Sequence, residues 1–106
     1  GSIRLWETAT GALVAEREKV AEEIYTLDWS PDGKLLASGG LEGDICIWDE
    51  HLQLLHKLPA PEWVISVKFS PDGTRLVTAG GSQTARDQRG VTVWGVSPGI
   101  SRLWGR

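Results

Sequence analysis

The chain of 106 residues has one cysteine, Cys46, and no methionine. A single thiol cannot form an internal disulfide framework, so a reducing, cytoplasmic setting is the simplest expectation. No apolar run approaches the ~18 residues of a membrane span, and no signal peptide precedes the first motif, so no membrane partner is expected. No Lys/Arg cluster recurs along one face, which argues against a nucleic-acid surface. The only histidines, His51 and His56, are five residues apart. That spacing puts them on opposite faces of a strand and misses the i, i+4 arrangement of a zinc pair, so surface or turn positions are expected and no metal.

What the chain does contain is 13 Gly, 5 Pro and 6 Trp, with 41% apolar and 24% charged residues. The length suits one small domain. Short apolar runs between Gly and Pro turns suggest an all-β fold. Gly1-Ser2 has the form of an expression scar and is set aside. The net charge of −3 is unevenly spread: residues 1–50 hold 4 Lys/Arg against 11 Asp/Glu (−7), and residues 51–106 hold 7 against 3 (+4). Scattered surface charge accounts for this, although a dipolar chain also favours head-to-tail contact between copies.

The organising feature is an internal repeat. WSPDGKLLASGG at Trp29–Gly40 is answered by FSPDGTRLVTAGG at Phe69–Gly81, with Ser30 and Ser70 forty residues apart. IRLW at Ile3–Trp6, ICIW at Ile45–Trp48 and VTVW at Val91–Trp94 share a pattern, their tryptophans 42 and 46 residues apart. The longer interval reflects five extra residues in Ser82–Gly90 compared with Leu41–Asp44. A period near forty with several strands per unit marks a propeller or solenoid.

Glu23–Trp29 and Trp63–Phe69 read as strands rich in β-branched and aromatic residues. The turns follow at Pro31, Asp32, Gly33 and at Pro71, Asp72, Gly73. Proline presets φ, aspartate bonds its own backbone, and glycine takes the positive φ that closes the hairpin. Lys34–Ser38 and Arg75–Ala79 come next, ended by paired glycines, and the Ile/Val/Trp strands follow. Leu52–Leu58 is a fourth, outer strand. Apolar residues on both faces predict sheets covered on both sides, with Trp6, Trp48 and Trp94 as structural core.

FSPDG, LLASGG and ICIWDE resemble the WD-repeat family of β-propellers over nearly the whole chain. The resemblance implies four-stranded antiparallel blades around a channel, used as docking platforms. It divides the chain into a partial blade at 3–17 (third and fourth strands), a complete blade at 18–58, and a blade at 59–106 with an insertion at 82–90 and a short final strand, Ile100–Trp104. The sequence also departs from the family pattern. Lys19-Val20 and Pro59-Ala60 stand where Gly-His is usual, Glu42 replaces a loop aspartate, and the closing Trp-Asp survives only at Trp48-Asp49. Ser38, Thr78, Trp48 and Trp94 are the remnants of the family's buried hydrogen-bond network. Ala12–Ile24, full of strong helix formers, is read by repeat register as an outer strand and a charged connection.

Other motifs carry little chemistry. GVSPG at Gly95–Gly99 has the Gly-x-Ser-x-Gly form of a nucleophile elbow, but no His, Asp or Glu follows it and Pro98 stands where a helix should begin, so a loop is expected. GGLEG at Gly39–Gly43 lacks the Lys-Ser/Thr of a phosphate loop. Cys46, in an apolar strand, reads as a small buried hydrophobe. The tryptophans sit at strand ends in repeat register, which favours packing over base stacking. No cofactor is expected. In the insertion, Arg86, Asp87 and Arg89 are candidates for contact with a protein or peptide partner, against the alternative of a tolerated surface loop.

About four to eight blades close a propeller, and roughly two and a half are present. The expectation is therefore a non-enzymatic interaction scaffold that self-associates through its inter-blade faces into a ring, a homo-oligomer. The alternatives are a designed or excised fragment with no partner beyond itself and, less well supported, a propeller hydrolase.

Overall fold

Short β-branched and aromatic runs separated by Gly, Pro and Asp turns give ten strands in the computed structural model, which describes residues 1–20, 23–41, 44–59, 63–81, 90–96 and 99–105. They are β1 (Ile3–Trp6), β2 (Leu13–Arg17), β3 (Glu23–Trp29), β4 (Leu35–Leu41), β5 (Ile45–Asp49), β6 (Leu54–Leu58), β7 (Trp63–Phe69), β8 (Arg75–Gly81), β9 (Gly90–Gly95) and β10 (Ser101–Gly105). All pairings are antiparallel. β1 and β2 form a separate two-stranded sheet. β3-β4-β5-β6 and β7-β8-β9-β10 make two four-stranded blades, joined in backbone pairing, among the described residues, only through Leu41 and Trp63. No helix among the described residues is long and apolar enough to cross a membrane.

The two-residue period sorts each blade into two faces. Ala37, Ile45 and Ile47 point toward the last blade and meet Val64, Val67, Leu76 and Trp94 in one core cluster. Leu36, Cys46 and Trp48 point the other way, joined by Leu52, and meet Ile3, with Leu5, Ala15, Val20 and Ile24 partly buried around them. The core thus lies in two seams between blades rather than inside any one sheet.

The paired glycines have a steric reason. β3 and β7 carry matching bulges, between Ile24 and Thr26 and between Val64 and Ser66. They bring the carbonyls of Glu23 and Trp63 so close to Gly40 and Gly80 that a Cβ at either glycine would overlap them. At Gly39 a Cβ would instead strike the Val64 side chain across the seam.

The helix-forming composition of Ala12–Ile24 is overridden. Leu13–Arg17 pairs with β1, and Glu16 takes the Arg4 guanidinium across the two strands. Gly1, set aside as a scar, is engaged in the fold: its carbonyl accepts the Val20 amide at 2.9 Å.

Three expectations need correction. The outer strand begins at Leu54, not Leu52, because Leu52 takes φ 59° in a turn and drives its side chain fully into the first seam. His51 consequently sits in that turn, and only His56 lies in a strand. The sheets are not covered on both sides everywhere. Leu27 and Trp29 on the first-blade side of β3, and Val77, Val91 and Leu103 in the last blade, remain substantially exposed.

Candidate functional site

The Ser-Pro-Asp-Gly hairpins are built alike. The Ser30 hydroxyl donates to Asp32 Oδ1 at 2.6 Å and accepts the Leu35 amide at 2.9 Å, while Asp32 Oδ1 also accepts the Lys34 amide at 3.0 Å. In the second copy, the Ser70 hydroxyl donates to Asp72 at 2.7 Å and accepts the Arg75 amide at 3.0 Å, and Thr74 donates twice to Asp72. Gly33 and Gly73 take φ 74° and 76°, which glycine adopts at little cost. Pro31 lies 3.6 Å from the Cβ position of Gly73, so the two turns stand side by side. The Ser70 hydroxyl, followed by the Thr74 amide, lowers the Asp72 carboxyl from 3.8 to about 2, and Asp32 is lowered by Ser30 and then by the Lys34 amide. These residues make turns, and nothing in their geometry holds a ligand.

Trp48 and Trp94 are buried, and their indole N–H groups donate to Ser38 Oγ at 3.0 Å and Thr78 Oγ1 at 3.1 Å. Trp6 does not share that core role: it is 55% exposed. The cause is positional. β1 turns Ile3 and Leu5 toward the neighbouring blade and Arg4 and Trp6 away from it, and its only partner among the described residues is β2. Among the described residues, no further strand stands beside β1 to supply a hydroxyl.

The seam also contains two acceptors with no signature in the sequence. Thr26 Oγ1 accepts the Val67 amide at 3.2 Å, and Asp28 Oδ2 accepts the Phe69 amide at 2.8 Å. They strap the inner strands of adjacent blades together. The next repeat has Ser66 and Lys68 at the same positions, so comparing the copies does not reveal the pair.

Asp49, the surviving Asp of Trp-Asp, caps the following turn by accepting the Gln53 and His51 amides at 2.9 and 2.8 Å; these bonds, Gln53 first, lower its carboxyl. Cys46 is buried, and desolvation pushes its thiol up, which disfavours the reactive thiolate. Arg86, Asp87 and Arg89 lie outside the described residues, as do Ser97 and Pro98 of the elbow-like motif and Glu42.

Among the described residues, two of the exposed apolar surfaces lie at the ends of the blade array. One is the outward side of the last blade, with Val77, Val91 and Leu103. The other is a groove of about 210 Å³ between β1 and β3, lined by Ile3, Arg4, Leu5, Leu27, Asp28, Trp29 and Leu36. Blades in this fold pack against one another through such faces.

Comparison with known proteins agrees with this architecture. The family model "WD domain, G-beta repeat" matches residues 18–49 and 52–86. The WD repeat-containing protein VIP3 of Arabidopsis thaliana is 32% identical over 74% of the chain, and Protein groucho of Drosophila melanogaster 33% over 80%. The matched regions cover 29% and 12% of those proteins, so the chain spans less than a third of either. Among solved structures, that of U3-55K superposes with a TM-score of 0.83 at 23% identity, covering 99% of this chain and 32% of that one. The β-propeller domain of Myceliophteria thermophila Cps50 (Swd1) gives 0.75 at 15% identity, covering 97% and 32%. With two WD segments matched by a family model and its strands grouped in propeller blades, this chain belongs to the WD-repeat family of β-propellers.

Proposed function

We propose that the chain is a non-enzymatic protein-interaction scaffold that works as part of a closed ring of blades. The observation that carries this reading is the pair of apolar surfaces at the two ends of the blade array, one on the last blade and one beside β1. Blades in this fold pack face to face, and an end face left in water favours association. WD-repeat propellers typically serve as docking platforms, which supports a protein or peptide partner. The single buried thiol fits a reducing cytoplasm.

Two routes lead to closure. Copies of the chain can associate through their end faces into a homo-oligomer, as the sequence repeat suggests. Further blades on a longer polypeptide can close the same ring, a route favoured by the chain's covering 32% of each structural neighbour. Native mass measurement over a range of concentrations tests the reading. Mass at a whole multiple of the chain supports a ring of copies. A monomer that adds no mass at any concentration assigns closure to further blades. A monomer whose end faces are protected from solvent labelling contradicts the reading itself.

A further inference from the structure

We propose that the Asp32-Gly33 and Asp72-Gly73 bonds are isoaspartate-forming sites that the folded turns hold closed, with Ser30 and Ser70 as the positioning residues. The inference does not depend on how the ring of blades is completed. These are the two places in the sequence where glycine follows aspartate, and the chain has no asparagine, the other common source of a backbone imide. Aspartate followed by glycine is the reactive pair because no side chain obstructs the approach of the glycine nitrogen to the carboxyl carbon.

The reaction has definite requirements. The Gly33 or Gly73 nitrogen must give up its proton and attack Cγ of the preceding aspartate, which must be in its neutral acid form. A C–N bond forms, the carboxyl C–O bond breaks, and the oxygen leaves as water with the acid proton and the amide proton. Water then opens the five-membered imide at either carbonyl. Opening at Cγ restores aspartate. Opening at the main-chain carbon leaves the backbone running through the side chain, one carbon longer.

Each turn withholds both reactants through one serine. The Ser30 carbonyl accepts the Gly33 amide and the Ser70 carbonyl accepts the Gly73 amide, each at 2.9 Å, so neither N–H is directed at the carboxyl. The hydroxyl of the same serine donates to the aspartate Oδ1, at 2.6 Å in the first turn and 2.7 Å in the second. The amides of Lys34 and Thr74 donate to the same oxygens at 3.0 Å. Hydrogen bonds of this kind favour the ionised carboxylate, which does not react. With the Asp72 carboxyl at about 2 rather than 3.8, its neutral acid is more than about tenfold scarcer at neutral pH. The two sites are not equally guarded. Thr74 Oγ1 adds a further donor to Asp72 at 2.8 Å, whereas the matching residue, Lys34, bonds Asp32 through its amide. Asp32 is therefore the site that converts first, and conversion marks a blade whose hairpin has opened.

The test holds the whole chain at neutral pH in heavy-oxygen water, folded and in urea, followed by trypsin digestion in ordinary water. Each passage through the imide takes up one heavy oxygen, read by mass in the peptides 20–34 and 69–75, and chromatography separates the isoaspartyl forms. Uptake at both sites should be at least about tenfold slower in the folded chain than in urea, and slower at Asp72 than at Asp32. Ser70→Ala should speed Asp72 about tenfold, the scale of one lost bond to a charged group, and leave Asp32 unchanged. Ser70→Thr, which keeps the hydroxyl, should keep the parent rate. Equal rates in the folded and urea-unfolded chain overturn the proposal, as does a folded Ser70→Ala chain with the parent rate. Where Ser70→Ala fails to fold, Thr74→Val serves instead, because it removes only an exposed side-chain bond. It should bring Asp72 up to the rate of Asp32, and an unchanged rate at Asp72 overturns the proposal.

Discussion

Trp48 is 6% exposed and bonded to Ser38, whereas Trp6, at the same place in an equivalent strand, is 55% exposed. The local sequences are nearly the same, IRLW against ICIW. The difference lies in what stands beside and beneath each strand. Trp48 has a second strand with a hydroxyl and a neighbouring half-blade below it; Trp6 faces away from the one blade that the described residues place beside its own. Burial in this architecture is a property of neighbouring blades, as expected of a quasi-one-dimensional repeat array. The same holds along one strand: Leu76, turned into the seam, is fully buried, and Val77, turned outward, is 38% exposed.

The contrast between seam and end face can be broken most severely at the bulge. Gly80→Ala should abolish the folded state or cost more than about 4 kcal/mol, because the Cβ overlaps the Trp63 carbonyl and the backbone must move; chemical denaturation measures it. Leu76→Ala should cost about 2–5 kcal/mol and Val77→Ala only about 0.5 kcal/mol or less, one facing packed residues and the other water. Equal losses would show that the outward face is covered in solution. Ser38→Ala leaves a buried indole N–H without a partner and should cost about 1–3 kcal/mol, while Trp6→Phe should leave the thermal midpoint nearly unchanged. The smallest effect concerns acid. The Asp72 carboxyl lies at about 2, below its ordinary 3.8, so its contribution is present above about pH 4 and disappears as pH falls toward 2. The stability difference between the parent and Asp72→Ala should close across that window, and thermal melts at stepped pH read it directly.

The repeat made most of the architecture legible. Pro-Asp-Gly turns and β-branched strands act through local backbone chemistry, so their positions are readable residue by residue; the glycine pairs are visible because they repeat, although their reason, a carbonyl and a side chain approaching from other strands, is not local. Leu52 was less readable, because an apolar residue before a strand pattern gives no sign that it will take a positive φ and plug a seam. Trp6 misled for a similar reason: its motif is local, whereas its burial depends on strands elsewhere. Thr26 and Asp28 were invisible, since an acceptor aimed across a seam follows no periodicity and its counterparts Ser66 and Lys68 differ.

The two straps from Thr26 and Asp28 to the Val67 and Phe69 amides sit on the inner strands, and among the described residues backbone pairing between the blades is limited to Leu41 and Trp63. Farther out, the seam is filled by the apolar cluster of Ile45, Ile47, Leu76 and Trp94, so the pair is bound like pages along a spine. Pulling on β6 and β10 would open the seam from its outer margin and load the straps last. Under hydrogen exchange, the amides of Val67 and Phe69 should behave as the hinge, releasing only when the two blades part completely.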